Sequence, residues 1–299
     1  MARFISRLLW QKANYVSHLY IWASIPSPSS GSLHLGPLRM NAYGLMIALG
    51  VVAAVWLTGK RVEARGVATG EDIGSIAMWA VPAGVVGARL YHVVTDWSRF
   101  SHHYGDIIKV WEGGLGIWGG IALGAIVGMW AARHHGLRVL PILTCAAPAL
   151  AIAQAIGRWG NWFNQELFGK ATSLPWALQI SADKTLSAGF PVGTTFHPTF
   201  LYESLGCALL CWVLLLVDKK VPLRPGRLFF VYSAGYTLMR FFIEGLRIDE
   251  AHHVGGLRLN QWVSLTVFVI SIGFLVQEAL WSRRSEPDPS NVLPYGDLQ

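Results

Sequence analysis

The sequence predicts an all-α, polytopic membrane protein with seven transmembrane helices. Three observations carry that prediction. Hydrophobic residues make up 53% of the 299-residue chain and charged residues only 14%, where a soluble domain carries about a quarter charged. Apolar runs close to the ~20 residues that cross a bilayer recur along the chain. Most of the basic excess behind the net charge of +7 sits in the short connections between those runs, a placement that fits orientation in a membrane rather than nucleic-acid binding.

Taken in order, residues 1–40 form an N-terminal arm with a basic start, no clean apolar core and no A-x-A cleavage site, so it does not read as a signal peptide. IPSPSSG within it is loop-like. The spans follow near 42–59, 73–94, 114–132, 139–157, 200–217, 228–246 and 259–281. Backbone groups in lipid must be satisfied internally, so these runs are helices, and the Gly and Pro of AVPAGVVGARL are tolerated inside one. Gly120, Gly124 and Gly128 recur at four-residue spacing, which predicts a close helix–helix contact. The connection from 158 to 199 is the longest in the chain, a length that suits a lid or a docking element. Residues 282–299 are polar and Pro-rich and read as a disordered tail. Cys145, Cys207 and Cys211 all lie in apolar runs. They read as small packing residues, with no disulfide framework and no metal set.

Orientation follows from the loops. One set holds Lys60, Arg61 and Arg65, then Arg133 and Arg138, then Lys219, Lys220, Arg224 and Arg227, and then Arg283 and Arg284. It is shorter and denser in positive charge than the other set, and belongs in the cytoplasm. The arm and the 158–199 loop are then extracytoplasmic, and the 282–299 tail is cytoplasmic.

Four polar clusters fall at the outer ends of their spans. GRWGNWFNQELFG, residues 157–169, brings Arg158, Asn161, Asn164 and Glu166 to the end of an apolar run. A lone arginine there can snorkel to the interface. An arginine with two amides and a carboxylate, between glycines that allow close backbone approach, points instead to a site. In RFFIEGLRID, Arg240, Glu244 and Arg247 share a helix face at i, i+4 and i+7. A self-contained ion pair is one reading; two arginines against one glutamate leave a surplus that suits an anionic partner such as phosphate. In HPTFLYES, His197 precedes a span that Pro198 helps to start, with Tyr202 and Glu203 in its first turns. The histidine also suits a turn or cap, and Glu203 the helix dipole. Tyr43, after Asn41, begins the first span, where interfacial tyrosines are common. Arginines, carboxylates and amides converging on one membrane face suit an anionic lipid headgroup.

These residues also carry a resemblance. GRWGNWFNQELFG resembles the signature of the bacterial phosphatidylglycerol–prolipoprotein diacylglyceryl transferase family, roughly G-R-x-G-N-[aromatic]-x-N-x-E-x-x-G, with Gly157, Arg158, Gly160, Asn161, Asn164, Glu166 and Gly169 in its fixed positions. IPSPSSG, NAYGL, GARLYHV, WEGGLGIWGG, HPTFLYES and RFFIEGLR are similar to other blocks of the family, in order, over about residues 22–281. The resemblance implies a bacterial plasma-membrane enzyme with seven spanning helices and its active site on the extracytoplasmic side. It moves the diacylglyceryl group of phosphatidylglycerol to the lipobox cysteine of a prolipoprotein, without metal or organic cofactor. Its implied partners are that lipid and the prolipoprotein signal peptide.

The residues present suit that chemistry. Arg158 and Arg240 are assigned to the phosphate and the leaving oxygen, with Arg247 in support; Glu166 and Glu244 hold the arginines. Asn161 binds the headgroup and Tyr43 the lipid. Asn164, Gly169, His197, Tyr202 and Glu203 complete the expected substrate-binding set. The family block reading roughly F-H-G-G carries a histidine, where this chain has IWGG and Trp118. Indole cannot accept a thiol proton, so the acceptor is open between His197, Glu203 and Glu244. Two other classes remain on residues alone: a transporter of an anionic solute or lipid, which predicts an internal repeat that this chain does not display, and a lipid-binding scaffold without chemistry.

Overall fold

A computed structural model describes residues 24–35, 38–101, 103–110 and 113–282. The first residues of the arm and the tail from 283 onward lie outside the described residues, and the expectations for them with it. Among the described residues seven helices have 18 or more residues: α1 Ala42–Ala64, α2 Gly70–Thr95, α4 Ile117–His134, α5 Val139–Asn164, α7 Thr199–Lys220, α8 Arg227–Leu246 and α9 Leu259–Ser282. Between them lie the short helices α3 Trp97–Phe100 and α6 Ala182–Ser187, and a 3₁₀ turn, Tyr104–Ile108. Three two-stranded ribbons complete the described elements. β1 Ile25–Pro26 runs parallel to β4 Leu178–Gln179, β2 Ser32–Leu35 pairs antiparallel with β3 Leu38–Asn41, and β5 His253–Val254 pairs antiparallel with β6 Leu257–Arg258.

Each expected span corresponds to one long helix, but only five of these helices are long and apolar enough by composition to cross a membrane: α1, α2, α5, α7 and α9. The two others have a local reason. The 18-residue α4 ends in Arg133 and His134, and α8 carries Arg240 and Glu244 inside its length. An all-α membrane protein fits the architecture. One boundary moves as well. The loop expected from 158 begins only after Asn164, because GRWGNWFN continues helix α5 for two more turns.

The helix ends follow local chemistry. Thr69 caps α2 in a reciprocal box: its hydroxyl accepts from the Asp72 amide, while the Asp72 carboxylate accepts from the Thr69 amide at 2.9 Å. α1 ends through Gly66 at φ +59°, with the Gly66 amide on the Glu63 carbonyl and the Val67 amide on the Val62 carbonyl. This pairing needs a left-handed residue, and glycine supplies it without a Cβ clash.

The chain divides into two compact units. Among the described residues, one is built from those up to Val52, Leu150–Val217 and those from Phe230 onward; the other from Ala53–Ala149 and Asp218–Phe229. Within the first, Leu178, Ile180, Phe196 and Phe200 form a core with Ile25, Trp162 and Phe168 around it. The long connection is therefore an ordered cap with its own apolar centre. Within the second, Val62, Ile73 and Cys145 form a core, and Asp218 pairs with both Arg61 and Arg65.

In that second unit α2 and α4 meet through glycines. A Cβ at Gly119 would stand 2.2 Å from the Gly87 carbonyl oxygen, and one at Gly87 2.3 Å from the Gly119 oxygen. The expected stripe of Gly120, Gly124 and Gly128 lies along the same contact, at 3.2 Å, 3.3 Å and 3.4 Å from its α2 neighbours. The backbones touch, so a methyl group at the tightest point must push them apart. Gly119→Ala should lower stability by about 1–3 kcal/mol, while Gly128→Ala should leave it within ~0.5 kcal/mol. Thermal unfolding of detergent-solubilised protein separates the two; equal effects would contradict the packing described.

Candidate active site

The polar residues singled out along the sequence gather in the first unit, at the C-terminal halves of α5 and α8 and the N-terminal halves of α1 and α7. At their centre is Glu203, almost completely buried. One of its oxygens takes the Arg158 Nε at 2.6 Å, and the other takes Arg240 Nη1. Arg240 turns its other terminal nitrogen to Glu244 Oε2 at 2.5 Å. Glu244 has no exposed side-chain surface, and its Oε1 also accepts from Arg258 Nε at 2.9 Å and Asn260 Nδ2 at 3.2 Å. Helix periodicity makes this possible: Arg240 and Glu244 are one turn apart, and Arg158 and Asn161 lie on one face of α5.

The four arginines differ in how far they are committed. Arg258 uses every nitrogen, on Glu244, the Arg247 carbonyl and Asp249. Arg247 clasps Asp249 with two bonds of 2.7 and 2.9 Å and stands 3.6 Å from Glu244. Burial pushes the Asp249 carboxyl up, but the hydrogen bonds and charge of Arg247, with the charge of Arg258, outweigh it and hold the group below the usual carboxylate range. Arg158 makes one close ion pair. Its other contacts are long, 3.4 Å to Asn161 Oδ1 and 3.3 Å to the Tyr236 hydroxyl. Of the five N–H donors a guanidinium carries, Arg158 and Arg240 both keep some for a ligand. Their side chains are also the more open, 19% and 13% exposed against 8% for Arg247 and Arg258.

Several sequence expectations change here. Glu166 was expected to hold an arginine; it accepts instead from Asn161 Nδ2 at 2.9 Å and Asn164 Nδ2 at 3.4 Å, because α5 ends between them and its next residues turn left-handed. Gln165 has φ +51° and Leu167 φ +59°. Such conformations are costly for residues with a Cβ. Gln165 is held there by its own amide, which donates to the Pro28 carbonyl at 2.6 Å and accepts from the Ser181 amide at 2.8 Å. Leu167 is held through the Thr199 hydroxyl on its carbonyl. The surplus charge expected of RFFIEGLR is also gone, since Glu203 and Asp249 join Glu244 against the arginines. Gly169 is a packing position: a Cβ there would come within 2.8 Å of His197 Cβ.

The remaining expected residues fall around this network. Tyr43 lies flat on Gly160, where a Cβ would meet its ring at 2.6 Å, and its hydroxyl reaches the Asn161 side chain. His197 Nδ1 and the Tyr202 hydroxyl are 3.1 Å apart, and Trp176 donates to that hydroxyl at 3.0 Å. This pair joins the arginine network through backbone: Gly169 bridges to Arg247, and its amide donates to the His197 carbonyl. Trp118 belongs to the second unit, 49% exposed in the first turn of α4. Among the described residues there is no cluster of three or more metal-ligating side chains.

Sequence reading missed Arg258, Asp249, Asn260 and Tyr236. Arg258 counted only as loop charge, although LRLNQW puts an arginine, an asparagine and a glutamine together at the start of a span. Tyr236 sits one turn before Arg240 on the same face, and extending that motif upstream by four residues would have found it.

Comparison with known proteins bears on this constellation. Residues 31–277 match the family model described as prolipoprotein diacylglyceryl transferase. A Streptomyces coelicolor protein named phosphatidylglycerol–prolipoprotein diacylglyceryl transferase 1 is 50% identical over 278 residues, 92% of this chain and 78% of that one. A Streptomyces griseus protein of the same name, without the number, is 49% identical over 86% of this chain and 78% of its own length. One from Frankia alni is 47% identical over 90% and 71%. The chain belongs to the prolipoprotein diacylglyceryl transferase family. Every residue of the arginine–carboxylate network, from Tyr43 to Asn260, lies inside the matched region.

Such a network is stable only as a whole, because removing one partner strands buried charge. Glu244→Ala leaves Arg240 and Arg258 facing one another and should cost about 3–5 kcal/mol. Lys60→Ala removes an exposed pair 3.8 Å from Glu63 and should cost under ~1 kcal/mol. Chemical denaturation of the two variants side by side tests this, and a Glu244→Ala protein as stable as wild type would contradict it.

Proposed function

We propose that this protein transfers the diacylglyceryl group of phosphatidylglycerol to the lipobox cysteine of prolipoproteins, the first step in bacterial lipoprotein maturation. The observation that carries the proposal is the pair Arg158 and Arg240, held together by one carboxylate with donors to spare, in a chain half identical to named transferases. The cysteine thiolate attacks the glyceryl carbon that bears the phosphate ester. A carbon–sulfur bond forms and the carbon–oxygen bond breaks. The electron pair leaves on the phosphate oxygen, releasing glycerol phosphate. Guanidinium groups bind the phosphate and stabilise the charge that develops on the departing oxygen. The nucleophile belongs to the substrate, so no enzyme cysteine is required, and the reaction needs no cofactor.

In this reading Arg158 and Arg240 are the catalytic cations. Glu203 and Glu244 position them. Asn161, oriented by Glu166 and beside Tyr43, meets the headgroup, with Asn164 and Arg247 in support. Both oxygens of Glu203 and Glu244 are engaged by cations, which leaves His197, paired with Tyr202, as the thiol's proton acceptor among the three groups considered. All seven long helices cross the bacterial plasma membrane, including α4, whose Arg133 and His134 lie at its very end, and α8, whose Arg240 and Glu244 pair with each other inside the protein. The site opens to the extracytoplasmic side, where the signal peptide's cysteine emerges, and the cap of residues 165–198 lies over it.

Purified protein, phosphatidylglycerol vesicles and a lipobox peptide test this. The peptide should gain the mass of a diacylglyceryl group on its thiol. Arg158→Ala or Arg240→Ala should reduce turnover at least ~100-fold in protein that still inserts. Solute uptake into sealed vesicles without peptide modification would favour a transporter instead.

A further inference from the structure

A line of polar side chains leaves the arginine pair and runs into the interior of the span. On α5, Gln154 lies one turn before Arg158. On α8, Tyr236 and Tyr232 lie one and two turns before Arg240. The Tyr236 hydroxyl is 3.3 Å from Arg158 Nη2, and the Tyr232 and Tyr236 rings stack 6.1 Å apart at 18°. The Gln154 amide hydrogen-bonds the Tyr232 side chain, which is buried. The other end of that amide is different. Gln154 Oε1 is fully enclosed and has no hydrogen-bond partner among the described residues. Helix-to-helix glue accounts for the Gln154–Tyr232 bond. It does not account for an amide whose other end is left without a partner in an apolar span, where such a group is expensive.

We propose that Gln154 and Tyr232 form a subsite for an ester carbonyl of the phospholipid's diacylglyceryl group. In a glycerophospholipid the first ester carbonyl lies a few bonds deeper than the phosphate, which is about one helical turn, ~5.4 Å. Gln154 stands one turn deeper than Arg158, on the same face. A half-turn of the amide exchanges its oxygen and nitrogen. Oε1 then accepts from the Tyr232 hydroxyl, and the –NH2 group takes the place of Oε1, with two donors that a carbonyl oxygen reaches once the entering lipid parts the side chains enclosing that position. The phosphate is held by charge and the acyl ester by this neutral pair, so the scissile carbon between them is fixed from both sides. The inference rests on the transferase reading and adds to it what recognises the acyl linkage. Both residues are uncharged and neither touches the reacting atoms, so the pair acts on lipid affinity and orientation.

The test compares phosphatidylglycerol with its dialkyl ether analogue, which keeps headgroup and chains but lacks carbonyls. Binding of each lipid to detergent-solubilised wild type, Gln154→Met and Tyr232→Phe is measured directly, with transfer to the lipobox peptide followed in parallel. Wild type should bind the ester about 3- to 10-fold more tightly than the ether, the effect of one hydrogen bond. Gln154→Met should abolish that preference by weakening the ester alone, and Tyr232→Phe should reduce it. No preference in wild type, an unaltered preference in Gln154→Met, or equal weakening of both lipids would overturn the subsite and leave packing as the residues' only role. The binding readout does not depend on turnover. An ester preference in protein that never modifies the peptide would keep the subsite and sink the transferase reading.

Discussion

One buried carboxylate shared by two guanidinium groups governs the arrangement of the first unit. Two arginines brought together in a low-dielectric environment repel each other by several kcal/mol and cost more to desolvate. Glu203 removes that obstacle, because its two oxygens face Arg158 on α5 and Arg240 on α8 from its place near the start of α7. Three helices are thereby fixed against one another by polar contacts. Glu244 extends the same logic to Arg258 and the start of α9. The charge in this part of the chain is nearly balanced, and what it offers a phosphate is directed donors rather than a diffuse positive field. Oriented donors that need no rearrangement are what stabilises charge developing on a departing oxygen.

The second unit solves a similar problem with arginines that are buried rather than open. Arg61 and Arg65 on α1 share Asp218 at the end of α7, and Arg61 spends its Nε on the Cys145 carbonyl at 2.9 Å. Arg89 gives its guanidinium to the carbonyls of Asp106, Ile107, Gly113 and Gly114. All three arginines hold helices and a loop in place. The contrast with Arg158, whose side chain is the more open, shows why an arginine in an apolar span is not by itself a site: what distinguishes one is an accessible guanidinium next to a fixed partner.

Much of this was legible in the residues. Composition and run length predicted a helical membrane protein, and each expected span corresponds to a long helix. The glycine stripe predicted a close contact, since only backbone approach explains small residues at every fourth position. Arg158, Arg240 and Glu244 stood out because charge is conspicuous at the end of an apolar run. Sequence could not show which carboxylate would meet which arginine. Glu203 and Arg158 are 45 positions apart, and their pairing follows from three-dimensional packing of α5 on α7. Glu166 seemed the natural partner because it is near in sequence, yet the left-handed turn at Gln165 and Leu167 directs it to two amides. Arg258 went unnoticed as one more loop cation. Helix α5 outran its expected end because Trp159, Trp162 and Phe163 keep the Asn161 turn apolar enough to pack on Phe200.

The central claim is that Glu203 acts through the two arginines it aligns. The most direct measurement is single-turnover transfer by Glu203→Gln beside its equilibrium binding of phosphatidylglycerol. The account predicts folded protein that binds the lipid at least as well as wild type, since two cations lose their internal anion, with chemistry slowed by about 10-fold or more. Wild-type turnover in that variant would contradict it.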